Sequence, residues 1–351
     1  MGYRLAIIGY GGMGEWHHKN ISERVVGIEV VGAYDIRQDM GEKAEDNGIK
    51  RYGSLEELLC DETVDIVTIA TPNNFHKDLA CRCMRANKNV VCEKPVAMNA
   101  KELEEIITVR QETGKLFSVH QNRRWDKDYV IIKKILENNI IGEPYYIETR
   151  VQGSRRAMHG WRGHQVNGGG MVLDWGVHLI DQILTMVSSP VKEISAHLFS
   201  IFCEEVDDNF KMSIRFENNL SVLIEVATNC FINQPRWHMC CKEGTAVIEN
   251  WNCEGKIVKL QTDEQMAWDD EIVYTEAGPT RTMAPRPKQT TEEIALPEVE
   301  SNWTDYYQNI VGVLDGKEEL IVKPEQALRG MQVVDAVFES AKTGQTVKCH
   351  I

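Results

Sequence analysis

The chain has 351 residues, 42% of them hydrophobic and 26% charged, which is the composition of a globular protein and more length than one domain usually takes, so two domains are expected. A net charge of −14, with basic residues scattered along the chain, leaves no electrostatic footprint for nucleic acid or an anionic membrane. No apolar run approaches the roughly 18 residues of a membrane helix, and the N-terminus runs into an apolar strand without a small-residue cleavage site, so a cytoplasmic protein is expected. The ten cysteines are expected to be free thiols; none has zinc-site spacing, and no metal is expected.

Over the first 120 residues, short β-branched runs at 5–8, 29–34, 65–70, 89–92 and 116–120 alternate with amphipathic stretches. Strands separated by helices predict βαβ units and a parallel sheet, a Rossmann domain over 1–122. The texture changes near 140–142. A helical pattern at 170–187 is followed from 191 by extended segments with turn signals at 216–221 and 242–245. Residues 123–351 are therefore expected to form an α+β domain with a mainly antiparallel open sheet, giving an α/β protein overall. Residues 275–300, with four prolines, read as a loop, arm or lid. Helical spacing over 324–343 predicts a last helix, expected to pack back toward the first domain.

Gly9, Gly11 and Gly14 fit GxGxxG between the first strand and a helical pattern beginning near Met13. Gly9 permits the tight turn, Gly11 lets the backbone approach a pyrophosphate, and Gly14 allows close helix–strand packing. Gly12 and Met13 complete the loop at a helix N-terminus, which favours an anion. Asp35 follows Gly14 by 21 residues and suits the adenosine ribose, with Ile36 and Arg37 beside it. Its carboxylate would repel a 2′-phosphate, so NAD is expected in preference to NADP, although Arg37 would partly neutralise one.

Two further motifs fall after strands, where such sheets place ligands: Thr71-Pro72-Asn73-Asn74-Phe75-His76 and Glu93-Lys94-Pro95. With GxGxxGxxH (Gly9 to His17), an IGEP turn at 141–144 and GGGxxxDxGxHxxD from Gly168 to Asp181, the sequence resembles the glucose–fructose oxidoreductase / inositol dehydrogenase (Gfo/Idh/MocA) family. The resemblance covers most of the chain and implies a catalytic site of Lys94, Asp174 and His178. It also implies cofactor contacts from Thr71, Pro72, Asn73, His76, Glu93, Lys94 and Gln121. A groove formed by Arg123 and Arg124, and a homo-oligomer, are implied as well.

The residues support that chemistry independently. Asp174, His178 and Asp181 stand at i, i+4 and i+7, on one face of an otherwise apolar helix. Oxidising a secondary alcohol needs a group to take the hydroxyl proton, assigned to His178, and a cation for the developing alkoxide, assigned to Lys94. Asp174 is expected to bind substrate or relay the proton, and Asp181 to orient His178 or cap a structural network. His17 is expected to pack beneath the cofactor. In the stretch 152–165, Trp161 could stack on a sugar face while Arg162 and His164 bond hydroxyls. An uncharged sugar, glycoside or inositol is the expected substrate, oxidised to a keto-sugar, with C3 of a glucoside one candidate position. An NAD-dependent glycosidase, a non-catalytic sugar-binding regulator and a redox-neutral transhydrogenase share the pattern.

Overall fold

The computed structural model describes residues 2–156, 158–261, 272–280 and 287–351. Six parallel strands form the first sheet: β1 (Tyr3–Ile8), β2 (Ile28–Tyr34), β3 (Lys50–Arg51), β4 (Ile66–Ile69), β5 (Asn89–Cys92) and β6 (Phe117–Val119). Their order is β3-β2-β1-β4-β5-β6, so the connection reverses direction between β1 and β4. That switch point opens a crevice at the carboxyl ends of the strands. Only β3 is absent from the sequence reading; two residues at a sheet edge give no periodicity to detect.

Helices α1 (Gly12–Arg24), α2 (Gln38–Asp46), α3 (Leu55–Cys60), α4 (His76–Arg85) and α5 (Ala100–Thr113) connect these strands. Residues Leu5 to Ile8 and all of β4 are buried, as a parallel sheet covered on both faces requires. Asn99 caps α5 by accepting from the Glu102 amide, and Gly114 ends that helix at φ +65°.

After α6 (Lys127–Glu137), a second sheet of nine strands is built from β7 (Pro144–Gln152), β8 (Val191–Phe199), β9 (Asn209–Phe216), β10 (Ser221–Ala227), β11 (Trp237–Cys241), β12 (Gly244–Ile248) and β13 (Gly255–Leu260). A hairpin of β14 (Val273–Thr275) and β15 (Gly278–Thr280) stands apart, while β16 (Thr291–Ile294) and β17 (Val347–Lys348) close the two edges. Every described pairing in the nine-stranded sheet is antiparallel except β7 with β10. In β9, Phe210, Met212, Ile214 and Phe216 are buried and the residues between them exposed, the alternation of a sheet with one covered face.

The covering is supplied by α7 (Val177–Met186) and α9 (Pro324–Thr343). The remaining helix, α8 (Asp305–Leu314), places Tyr306 and Tyr307 in the core. Two expectations need correction. The 275–300 segment is not wholly a loop, because β16 pairs with β13; the TEEI sequence of this half-exposed strand carries no apolar alternation. Of that segment, 281–286 lie outside the described residues. Nor is 170–187 one α-helix: Val172–Gly176 form a π-type turn before α7 begins.

Candidate active site

The glycine-rich loop occupies the crevice end of β1. A side chain at Gly9, which has φ +90°, would lie 2.7 Å from the Ala70 carbonyl, and one at Gly14 would collide with the Gly9 carbonyl. At Gly11 and Gly12 no atom of the described residues lies within 4 Å of an added Cβ, so the loop's outer side is open to them. No side chain caps α1 at Gly11, leaving its first amides free for an anion. Asp35, at the end of β2, accepts hydrogen bonds from the Tyr10 amide (2.7 Å) and the Arg37 amide (2.9 Å). Ile36 is 85% exposed beside it. This open amide cradle with a carboxylate beyond it fits a dinucleotide.

From the loop a cleft of about 510 Å³ runs toward the second domain, bounded by Gly11, Gly12, Met13, Thr71, Asn73 and Glu93 on one side. Lys94, Arg123, Trp161, Arg162, Asp174 and His178 border it on the other. Lys94 is the centre of the polar array: its Nζ donates to the Asp174 backbone carbonyl (2.7 Å) and to Asp174 Oδ1 (2.9 Å). Arg162 Nε donates to the same Oδ1 at 3.2 Å. Burial alone would raise the Asp174 pKa, but Lys94 and Arg162 outweigh it and hold the carboxyl below its ordinary value.

The local chain path explains this convergence. The Val172 amide donates to Asp207 Oδ2 at 2.8 Å, anchoring the start of the π-type turn. Within that turn the backbone carbonyl of Asp174 faces Lys94, which a continuing α-helix would have engaged internally. Helix α7 is buried from Val177 to Leu184, so its polar residues need interior roles. His178 has a buried Nδ1 with no hydrogen-bond partner among the described residues. Burial, then the charges of Lys94 and Arg123, push its pKa well below the usual imidazole value, leaving a neutral ring at the cleft wall.

Several expected contacts lie elsewhere. Asp181 does not orient His178: both its oxygens accept from Arg124, at 2.7 Å each, in a buried ion pair. Arg124 also donates to Gln326 and the Ile321 carbonyl, so it fastens the interior and does not line the groove. His76 is fully buried, its ring nitrogens facing the carbonyls of Pro95 (2.8 Å) and Thr71 (3.0 Å); it braces two cleft loops and has no surface for a cofactor. Gln121 is likewise buried and lies outside the main cleft. His164 is exposed and paired with Glu205. Asn73 lines the cleft, but its amide donates to the Gly168 carbonyl and joins the two domains. One face of Trp161 is already covered by the Arg162 guanidinium, 4.5 Å from the ring centroid.

Asn122, in the 121–125 stretch expected to line the groove, borders the cleft; sequence reasoning missed Trp175, also a cleft residue. Trp175 lies under the Arg123 guanidinium at 4.1 Å; its position inside DWGVH was the available signal. Also missed was the network around Glu93. This carboxylate is buried, and its Oε1 accepts from His17 Nε2 (2.8 Å) and His120 Nδ1 (2.7 Å). The three residues could be mistaken for a metal triad, yet ligands around one tetrahedral ion, each about 2.0–2.1 Å from it, stand roughly 3.3 Å apart. The shorter separations are those of hydrogen bonds.

Models of two protein families match the chain: residues 3–121 match an oxidoreductase family with an NAD-binding Rossmann fold, and residues 129–247 a GFO/IDH/MocA C-terminal domain. The crystal structure of an NAD-binding protein from Listeria innocua is similar with a TM-score of 0.93 and 43% identity, covering 99% of each chain. The uncharacterized oxidoreductase C26H5.09c of Schizosaccharomyces pombe is 32% identical over 91% of each chain. The scyllo-inositol 2-dehydrogenase (NADP(+)) IolW of Bacillus subtilis is 25% identical, over 98% of this chain and 95% of its own.

Proposed function

This chain belongs to the Gfo/Idh/MocA oxidoreductase family, and from that premise we propose that it oxidises a ring secondary hydroxyl of a sugar, glycoside or inositol to the keto form with NAD. The observation that carries the reading is the meeting of Lys94, Asp174 and a neutral His178 in the cleft that begins at the glycine loop. Bound NAD supplies the hydride acceptor. The chain's own residues supply the proton handling and the charge.

An ammonium has three N–H groups, and Lys94 commits two to Asp174. The third is free to donate to a substrate oxygen and to stabilise its negative charge as the hydroxyl proton leaves. His178, neutral and lining the cleft, is placed to take that proton. Asp174 fixes the ammonium and, with Arg162, offers substrate-facing polar atoms. Trp161, Arg162 and Arg123 would line the remainder of the sugar site. We assign Gly11, Gly12, Met13, Thr71 and Asp35 to the dinucleotide. Asp35 favours NAD over NADP because its charge opposes a 2′-phosphate, so Asp35→Ser should weaken NAD about tenfold and relax the discrimination, measured by cofactor titration. An unchanged NAD:NADP preference contradicts the assignment.

The substrate test is a panel of inositols, sugars and glycosides assayed for NADH formation and for keto products. Keto products with stoichiometric NADH support the reading. Net hydrolysis without NADH would assign the site to an NAD-dependent glycosidase, and binding without turnover to a regulator.

A further inference from the structure

The Glu93 network is used by none of these steps, although it adjoins them. We propose that the Glu93 carboxylate is a fixed counter-charge for the oxidised nicotinamide, making the protein hold NAD⁺ more tightly than NADH. The inference rests on the reading above, which puts the nicotinamide end of the cofactor beside Lys94.

Glu93 borders the cleft between the glycine loop and Lys94, and it is only 6% exposed. Three N–H groups point at its carboxylate: His17 and His120 donate to Oε1, and the Lys94 amide donates to Oε2 at 3.2 Å. Burial would raise the Glu93 carboxyl, but His120 and His17 outweigh it and hold it well below its ordinary value, so the oxygen that both imidazoles face belongs to an ionised carboxylate. The second nitrogen of His17 faces the Tyr307 hydroxyl at 2.9 Å, a group able to donate to it. The second nitrogen of His120 is buried, with no partner among the described residues. Burial pushes the His17 pKa below its ordinary value, so that ring is a neutral donor, and the negative charge of the array sits on Glu93. The Lys94 ammonium is committed to Asp174 through two of its N–H groups.

A buried carboxylate gains from a nearby cation, since a low-dielectric setting strengthens the attraction. Oxidised and reduced nicotinamide have nearly the same shape, but only the oxidised ring is cationic. A fixed negative charge at the cleft floor therefore separates the two by electrostatics, while a merely structural network would support both equally.

The test uses the full chain freed of cofactor, titrated with NAD⁺, NADH and ADP-ribose in the absence of substrate, with binding followed by calorimetry. Glu93→Gln keeps the shape and an acceptor for both imidazoles but removes the charge. The dissociation constant for NAD⁺ should rise about tenfold, or 1.4 kcal/mol, with those for NADH and ADP-ribose little changed. Parallel weakening of all three, or an unchanged NAD⁺:NADH ratio, overturns the proposal. If that variant does not fold, Glu93→Asp withdraws the charge by one methylene: a smaller shift in the same ratio supports the proposal, and an unchanged ratio overturns it. Because no turnover is measured, this outcome is separate from that of the substrate panel.

Discussion

Glu93 and Lys94 are consecutive in the chain, yet their side chains enter two arrays of opposite character. Beneath the cleft, both Glu93 oxygens are engaged by interior donors, and the Arg124–Asp181 pair behind α7 is saturated in the same way. Along the cleft, Lys94 retains a free donor and His178 Nδ1 has no partner among the described residues. The contrast teaches that motif residues divide by what they meet: groups enclosed by interior partners hold the frame, while Lys94 and His178 border the cleft.

The sharpest way to break this comparison is kinetic. Lys94→Ala and His178→Ala should each lower turnover by about 10²–10⁴-fold while leaving NAD binding nearly intact; steady-state rates beside calorimetric titration would show it. Near-normal rates in both would erase the distinction. On the saturated side the effect should move to stability: Arg124→Ala strands a buried carboxylate and should cost about 3–5 kcal/mol in denaturant unfolding, with turnover per folded molecule retained. A smaller effect is expected in the pH profile. A base acts deprotonated, and burial with Lys94 and Arg123 lowers the His178 pKa. Activity should therefore persist as pH falls through the ordinary imidazole value of 6.5 and be lost only below it, read from kcat/KM against pH. The smallest belongs to His164, whose exposed pair with Glu205 is screened by solvent. His164→Ala should leave kcat/KM unchanged, and a large loss would return it to the substrate site.

Much of this was legible in the sequence because the first domain is local. Strand, glycine turn and helix occupy contiguous residues, and the second strand brings Asp35 to the same edge with only its end residues in doubt. Lys94, Asp174 and His178 were legible as motif members. What could not be read was partnership across long separations. The i, i+4, i+7 spacing correctly marks a polar stripe, but it cannot show that Asp181 meets Arg124, 57 residues earlier, while Asp174 meets Lys94, 80 residues earlier. The π-type turn was hidden for a related reason: it depends on tertiary anchoring by Asp207, and the local apolar period does not register it. His76 and Glu93 show the same limit, since a polar residue at a strand end reads alike whether it points into the crevice or under it.

The last helix bears on how the site opens. α9 packs along α5 of the first domain and along α7 and β8 of the second, with Asp335 accepting from the Ala100 amide and Arg329 donating to carbonyls at the end of α7 and just beyond it. It acts as a rivet through both halves. Prising the sheets apart like a hinge would tear out these bonds, so traffic through the cleft should depend on the loop after β7. That loop carries Trp161 and Arg162, and it is tied to the first domain by the Asn73–Gly168 bond.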